Sequence, residues 1–203
     1  MQTLRTLFVC SLLGIGPVTV TLAEEAKILD INGKLGDAFD YVAISGDTAI
    51  VGAKGNDDPV PNGGAAQIFV RSKGEGDWVH HQKLAPPDVN NESQFGKAVA
   101  ISGKFAIGGA LEDDFKFQNA GSAYTYERTG KNWPQREKLI ASDAAAGDEF
   151  GTSVAISGDT AIVGAPRHDG NKGKDSGSLY SFHEHRPPLE RTGNLYRQRC
   201  KCG

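Results

Sequence analysis

Cysteine is scarce in this chain of 203 residues: Cys10 falls in an apolar N-terminal stretch, and Cys200 and Cys202 stand one residue apart near the end. A bridge across so short a separation strains both the backbone and the disulfide dihedral, so the fold must stand without disulfide staples. Charge of one sign is also lacking. The 22 basic and 25 acidic residues leave a net charge of −3, and no basic run or interleaving of Lys or Arg with aromatics marks a nucleic-acid partner. The longest apolar run, Leu7 to Gly16, is about half the roughly 20 residues a helix needs to cross a bilayer, which argues against a membrane-spanning chain. No stretch carries an apolar period of 3.6 over a dozen positions, so helices have little support. A Gly-x-Ser-x-Gly elbow, a phosphate loop and a carboxylate pair outside the general pattern are all missing, and the chain does not read as an enzyme.

Glycine, by contrast, is abundant at 26 residues, which suits strands joined by tight turns. At the N-terminus, Arg5 precedes the apolar run, and Thr21-Leu22-Ala23 supplies the small residues a signal peptidase reads. This arrangement predicts a signal peptide over residues 1–23, cleavage after Ala23, and a mature chain that is secreted, periplasmic or displayed at the cell surface.

Internal repetition is the strongest signal. Val42-Ala43-Ile44-Ser45-Gly46-Asp47-Thr48-Ala49-Ile50-Val51-Gly52-Ala53 recurs from Val99 to Ala110 and again from Val154 to Ala165. Phe39, Phe95 and Phe150 each lie twelve residues after a lysine (Lys27, Lys83, Lys138), so the register extends upstream with spacings of 56 and 55 residues. Three units are expected at about 27–83, 84–138 and 139–201.

Each unit reads as four short strands. The first two, Val42–Ser45 and Thr48–Ala53, are joined by Gly46-Asp47, which supplies the positive φ a two-residue hairpin requires. The third runs from Gly64 to Arg71, with counterparts at Gly121–Arg128 and Gly177–His183. Alternation places Phe69, Tyr126 and Phe182 at matching positions on one face. The fourth, Trp78–Leu84 or Trp133–Leu139, is polar after its leading Trp and interrupted by Pro134 in the second unit, as an edge strand would be. In the third unit, Arg191-Thr192-Gly193 through Lys201 aligns with Arg128-Thr129-Gly130 through Lys138. The second strand is apolar on both faces, the fourth tolerates His80, His81 and Gln82, and the first carries the small residues Ala43, Ala100 and Ala155. Such a taper fits an all-β partial propeller of three four-stranded antiparallel blades packed around an axis.

Phe95-Gly96 followed by Val99 to Ser102 and Gly109-Ala110, and Phe150-Gly151 followed by Val154 to Ser157 and Gly164-Ala165-Pro166, resemble the FG-GAP repeat, the blade unit of the integrin α-subunit propeller. The first unit departs from it, with Phe39-Asp40 and one residue fewer before Ile44. The hairpins at Gly46-Asp47, Gly103-Lys104 and Gly158-Asp159 are too short for the calcium loop that integrin-type blades often carry. The likeness is to the compact variant of secreted bacterial proteins, for which the resemblance implies a propeller without assigned chemistry.

The loops after the second strands hold the candidate binding residues: Asn56, Asp57 and Asp58; Glu112, Asp113 and Asp114; Arg167 and Asp169. Asp169, Asn171 and Asp175, with glycines between, are the calcium candidates. No other cofactor is expected. The expected function is a protein- or glycan-binding interaction module, with a second copy as a possible means of completing the ring. The alternatives are a non-catalytic remnant of a larger propeller protein, or a carbohydrate-active propeller enzyme.

Overall fold

Turns with a left-handed glycine divide the chain into hairpins: φ is +59° at Gly46, +57° at Gly103 and +57° at Gly158, values that residues with a Cβ adopt only under strain. The computed structural model describes residues 36–72 (Asp40 by its backbone), 77–170 and 173–183, together with the backbone of Leu7–Val9 (β1) and Val18–Val20 (β2), which pair antiparallel. Among the described residues there is no helix, and none long and apolar enough to cross a membrane.

Three antiparallel meanders follow. Blade 1 has the order β3 (Phe39–Ser45), β4 (Thr48–Ala53), β5 (Ala65–Arg71) and β6 (Trp78–Leu84). Blade 2 has β7 (Ala98–Ser102), β8 (Phe105–Ala110), β9 (Ser122–Glu127) and β10 (Gln135–Leu139). Blade 3 contributes β11 (Ser153–Ser157), β12 (Thr160–Ala165) and β13 (Ser178–His183). The fourth strand expected toward Lys201 lies outside the described residues. The result is an unclosed, all-β stack of propeller blades.

Register matches the repeat. Phe69, Tyr126 and Phe182 stand opposite Ala49, Ala106 and Ala161, so each large ring faces a small residue. β4 is buried along its whole length because both of its faces are covered. Between blades 1 and 2 the core gathers Ile50, Ile68 and Leu84 from one sheet and Ile101, Tyr124 and Tyr126 from the next, around Phe95. Between blades 2 and 3, Ile107, Ala123 and Leu139 meet Ala161, Val163 and Phe182 around Phe150. Each Phe stands edge-on to the aromatics of the blade it introduces: Phe95 is 5.5 Å from Tyr124 and Phe150 is 5.4 Å from Tyr180.

The fourth strand of blade 2 differs from expectation. It begins at Gln135, since Pro134 has no N–H to offer the ladder, and Trp133 leaves the strand to fill the core between blades 1 and 2 at 1% exposure. Its backbone is held there by Gln82 of blade 1, which accepts from Trp133 N at 2.9 Å and donates to Trp133 O at 3.3 Å. Polar Gln82 is therefore an inter-blade strap. His80 packs edge-on to Phe69 at 5.5 Å and hydrogen-bonds Gln67 at 2.7 Å.

Candidate functional site

All second-to-third strand connections leave the sheets at one end of the stack, where the segments between blades also run. Each connection is pinned in the same way. After the strand, Asn56, Asp113 and His168 donate their N–H to the O of Ala53, Ala110 and Ala165. Their own carbonyls accept from Gly64, Gly121 and Gly177 at 2.9 to 3.0 Å, which closes the loop at its base. The next residue is an aspartate each time. Asp57 Oδ1 accepts from Asn62 N at 2.9 Å, Asp114 from Asn119 N at 2.6 Å and Asp169 from Asp175 N at 2.8 Å. The residues donating these bonds have φ of +45°, +50° and +52°, a conformation Asn and Asp accept more readily than other residues with a Cβ. The aspartate thus ties the outgoing limb of the loop to its returning limb, five or six residues on.

These geometries assign roles to the residues singled out in the sequence. Asn56 and Asp113 are buried and form framework, contrary to the expectation of ligand-facing loop positions. Asn56 donates to Asp37 at 3.2 Å and accepts from Lys83 Nζ at 2.7 Å. Asp113 receives the hydroxyls of Ser122 and Tyr124 and lies 2.9 Å from Lys138 Nζ. Asp57, Asp114 and Asp169 are exposed, each with one carboxylate oxygen committed to its own loop. Asp58 is exposed and pairs with Lys83 at 3.0 Å, Glu112 is half-buried, and Arg167 pairs with Glu149 at 2.9 Å. Of the calcium candidates, Asp169 and Asp175 make the same loop-closing bond as their counterparts in the other blades, and Asn171 lies outside the described residues. Among the described residues, no three His, Cys, Asp or Glu side chains are grouped to hold a metal ion.

Two features escaped the sequence reading. The first is His168, held between Asp148 at 3.0 Å and Asp143 at 3.8 Å, with Tyr180 donating to Asp143 at 2.9 Å. It occupies the place of Asn56 and Asp113, and the counterpart of Asp148 is Asp37, so the repeat alignment could have paired them. The second is Phe115-Lys116-Phe117 in the blade 2 loop. Phe115 is 60% and Phe117 47% exposed, the largest exposed apolar side chains among the described residues. Lys138 Nζ lies 4.1 Å from the Phe115 ring centroid, which holds that ring at the root of the loop while leaving most of it open. Burial, together with the carboxylates of Asp113 and Asp88, raises the Tyr124 hydroxyl far above the usual tyrosine value, so it remains a proton donor to Asp113.

A cleft between blades 2 and 3 opens at the opposite end, lined by Phe105, Thr125, Arg136, Ile156, Asp159 and Phe182. At about 50 Å³ it holds only a few water molecules. The loop end is therefore the better candidate surface, with three rigid bases of one design carrying different tips.

Comparison with known proteins places this geometry in a wider setting. A family model described as FG-GAP repeat matches the chain three times, at residues 22–69, 78–126 and 133–182. No curated protein matches it.

Proposed function

The chain belongs to the FG-GAP repeat family, and from that premise we propose that it is a secreted or cell-surface interaction module whose loop end binds a protein or a glycan. The observation that carries this reading is the pair Phe115 and Phe117, held open to solvent on a loop whose base is fixed by hydrogen bonds at both ends. An ordered loop presents such rings with little entropy left to lose, so the favourable burial of aromatic surface is available to a partner. Asp114 on the same loop, and Asp58, Arg167 and Asp169 on the corresponding loops of the adjoining blades, add exposed charge at this end of the stack. The apolar segment Leu7 to Gly16 and the small residues before Ala23 support export of the chain.

The test is binding of the full chain to a glycan array and to a panel of extracellular proteins, repeated with Phe117→Ala and Arg167→Ala. Each substitution should reduce binding at least tenfold while leaving the urea midpoint in place. Binding that survives both changes, or no binding across either panel, would sink the proposal.

A further inference from the structure

Blades 1 and 2 are joined at the loop end by a short run of backbone hydrogen bonds. Glu92 N donates to Pro61 O at 2.9 Å, Gln94 N to Asn62 O at 3.0 Å and Phe95 N to Gly63 O at 2.9 Å, so the returning limb of the blade 1 loop carries the segment that enters blade 2. The joint between blades 2 and 3 repeats this pattern, with Gly147, Glu149 and Phe150 donating to Gln118, Asn119 and Ala120. One side-chain clamp belongs to the first joint alone. Asn62 Nδ2 donates to both carboxylate oxygens of Glu92, each at 3.1 Å, whereas the corresponding residues of the second joint are Asn119 and Gly147.

The backbone selects the two residues at the clamp. Asn62 has φ of +45°, which asparagine accepts more readily than other residues with a Cβ. Gly63 is closed in, since a Cβ there would stand 2.5 Å from Val60 Cγ2 and 3.2 Å from Val89 Cγ2. The fold therefore sets a glycine directly after an asparagine, and that pair carries its own chemistry. With no Cβ on the following residue, the following backbone nitrogen can close on the asparagine side chain. Gly63 N gives up its proton to water and bonds to Asn62 Cγ, the Cγ–Nδ2 bond breaks, and the amide nitrogen takes up a proton and leaves as ammonia. Water adding to either carbonyl of the resulting five-membered imide opens it to aspartate or to isoaspartate.

The closed joint opposes each part of this step. The Gly63 N–H is donated to Val60 O at 2.9 Å, the Asn62 N–H to Asp57 Oδ1 at 2.9 Å, and the amide is turned across the joint to Glu92. Local opening of the joint removes these restraints and lets the side chain turn back on its own chain. Reaction then has no way back. The new carboxylate faces Glu92 where two hydrogen bonds stood, and isoaspartate lengthens the backbone by one carbon beside the carbonyls that Gln94 and Phe95 hold.

We propose that Asn62 is a spontaneous modification site that acts as a one-way latch: the closed joint between blades 1 and 2 protects it, opening exposes it, and its conversion to an acid keeps the joint weakened. The inference does not depend on what the loop end binds.

The test is incubation of the full chain at mildly alkaline pH, in buffer and in urea, with the peptide holding Asn62 followed by mass spectrometry for the mass gain of an amide exchanged for an acid. Asn119, which precedes Ala120, is the internal reference, and the chain's other Asn-Gly pair, Asn32-Gly33, lies outside the described residues and is read on a separate peptide. Asn62 should convert more slowly in the folded chain than in urea by on the order of tenfold or more. Glu92→Ala, which removes the clamp, and Gly52→Ala, whose Cβ presses to 1.9 Å on Gly96 O in the same joint, should each bring the folded rate toward the urea rate. Asn62→Asp, which installs the charge of the product, should lower the urea midpoint, and adding Glu92→Gln should restore it. Concentrated salt should shrink that loss, because the pair is exposed. Equal rates in buffer and in urea, an Asn62 that stays intact in both, protection indifferent to Glu92→Ala, or an Asn62→Asp midpoint that is unchanged or indifferent to Glu92→Gln would each overturn the proposal.

Discussion

Asp113 Oδ2 lies 2.9 Å from Lys138 Nζ in the interior of blade 2, where the carboxylate is fully buried and the lysine nearly so. Lys138 also approaches Asp88 at 3.2 Å and the faces of Phe115 and Tyr124, so one cation joins the β8–β9 loop, β9, β10 and the segment leading to blade 2. Removing it leaves a carboxylate without its countercharge and out of reach of water. Lys138→Met should lower stability by about 3–5 kcal/mol. In blade 1 the neutral Asn56 takes the place of Asp113, and the more exposed Lys83 reaches it at 2.7 Å, so Lys83→Met should cost about 1 kcal/mol. Urea unfolding of the two variants checks the ordering, and equal losses would contradict it.

The two buried tyrosines of β9 should respond in opposite ways to loss of the hydroxyl. Tyr124 donates to Asp113 at 3.0 Å, and its replacement by Phe removes a bond to a charged acceptor, at a cost of about 1.5–3 kcal/mol. Tyr126 OH is buried without a hydrogen-bond partner among the described residues. Tyr126→Phe removes a desolvated group that receives nothing in return, so stability should be unchanged or rise by about 1 kcal/mol. Thermal unfolding of the two variants separates these outcomes, and a large loss at Tyr126 would mean its hydroxyl is paired.

Much of this arrangement is legible in the sequence, and the reason is the repeat. Three copies of Val-Ala-Ile-Ser-Gly fix the hairpin, and period-2 alternation then places Phe69, Tyr126 and Phe182 on one face, as found. Asp113 was not legible because an acidic residue between strands reads as solvated, and only its convergence with Ser122, Tyr124 and Lys138 makes it internal. The burial of Trp133 is not legible for a related reason. Pro134 signalled an edge, and only the three-dimensional joint turns the preceding Trp inward toward blade 1. The loop bases could have been read, since Asp57 and Asn62 share their spacing with Asp114 and Asn119, the pairs that form the loop-closing bonds. The Phe115-Lys116-Phe117 tip could not, because its role depends on exposure.

Alkaline pH should unfold the protein through its tyrosines. Burial raises Tyr124, Tyr126 and Tyr180 well above the ordinary value near 10, with Asp113 and Asp88 adding to the first, Asp88 to the second and Asp143 to the third. Below pH 10 these groups are protonated in both states, so their contribution to stability is fully present. Above it the unfolded chain releases protons that the folded chain retains, and stability falls by about 1.4 kcal/mol per pH unit for each of Tyr124 and Tyr126, and by less for the more open Tyr180, where solvent screens the effect. Circular dichroism followed alongside tyrosinate absorbance should show these three ionising with unfolding and not before it. Phenolate formation at Tyr124, Tyr126 and Tyr180 with the sheet signal intact would show that the folded chain does not resist it.

The stacking of the blades should be readable one glycine at a time. Gly52, Gly109 and Gly164 occupy the same position in successive blades, yet they face different surroundings. A Cβ on Gly52 or Gly109 would press to 1.9 Å on the carbonyl oxygen of Gly96 or Gly151, backbone that can yield only if the joint opens. On Gly164 the nearest atom is Ser153 Oγ at 2.4 Å, the end of a side chain that can rotate away. Gly52→Ala and Gly109→Ala should therefore cost about 3 kcal/mol or more, the range of severe overpacking, whereas Gly164→Ala should cost under about 1 kcal/mol. The contrast separates joint formation from strand propensity, because the intrinsic effect of alanine in a strand is common to all three positions. Hydrogen exchange should place the Gly109→Ala damage at the joint between blades 2 and 3, with β3–β5 still protected. A uniform cost across the three substitutions would mean that the blades are held by their own sheets and draw little from being stacked.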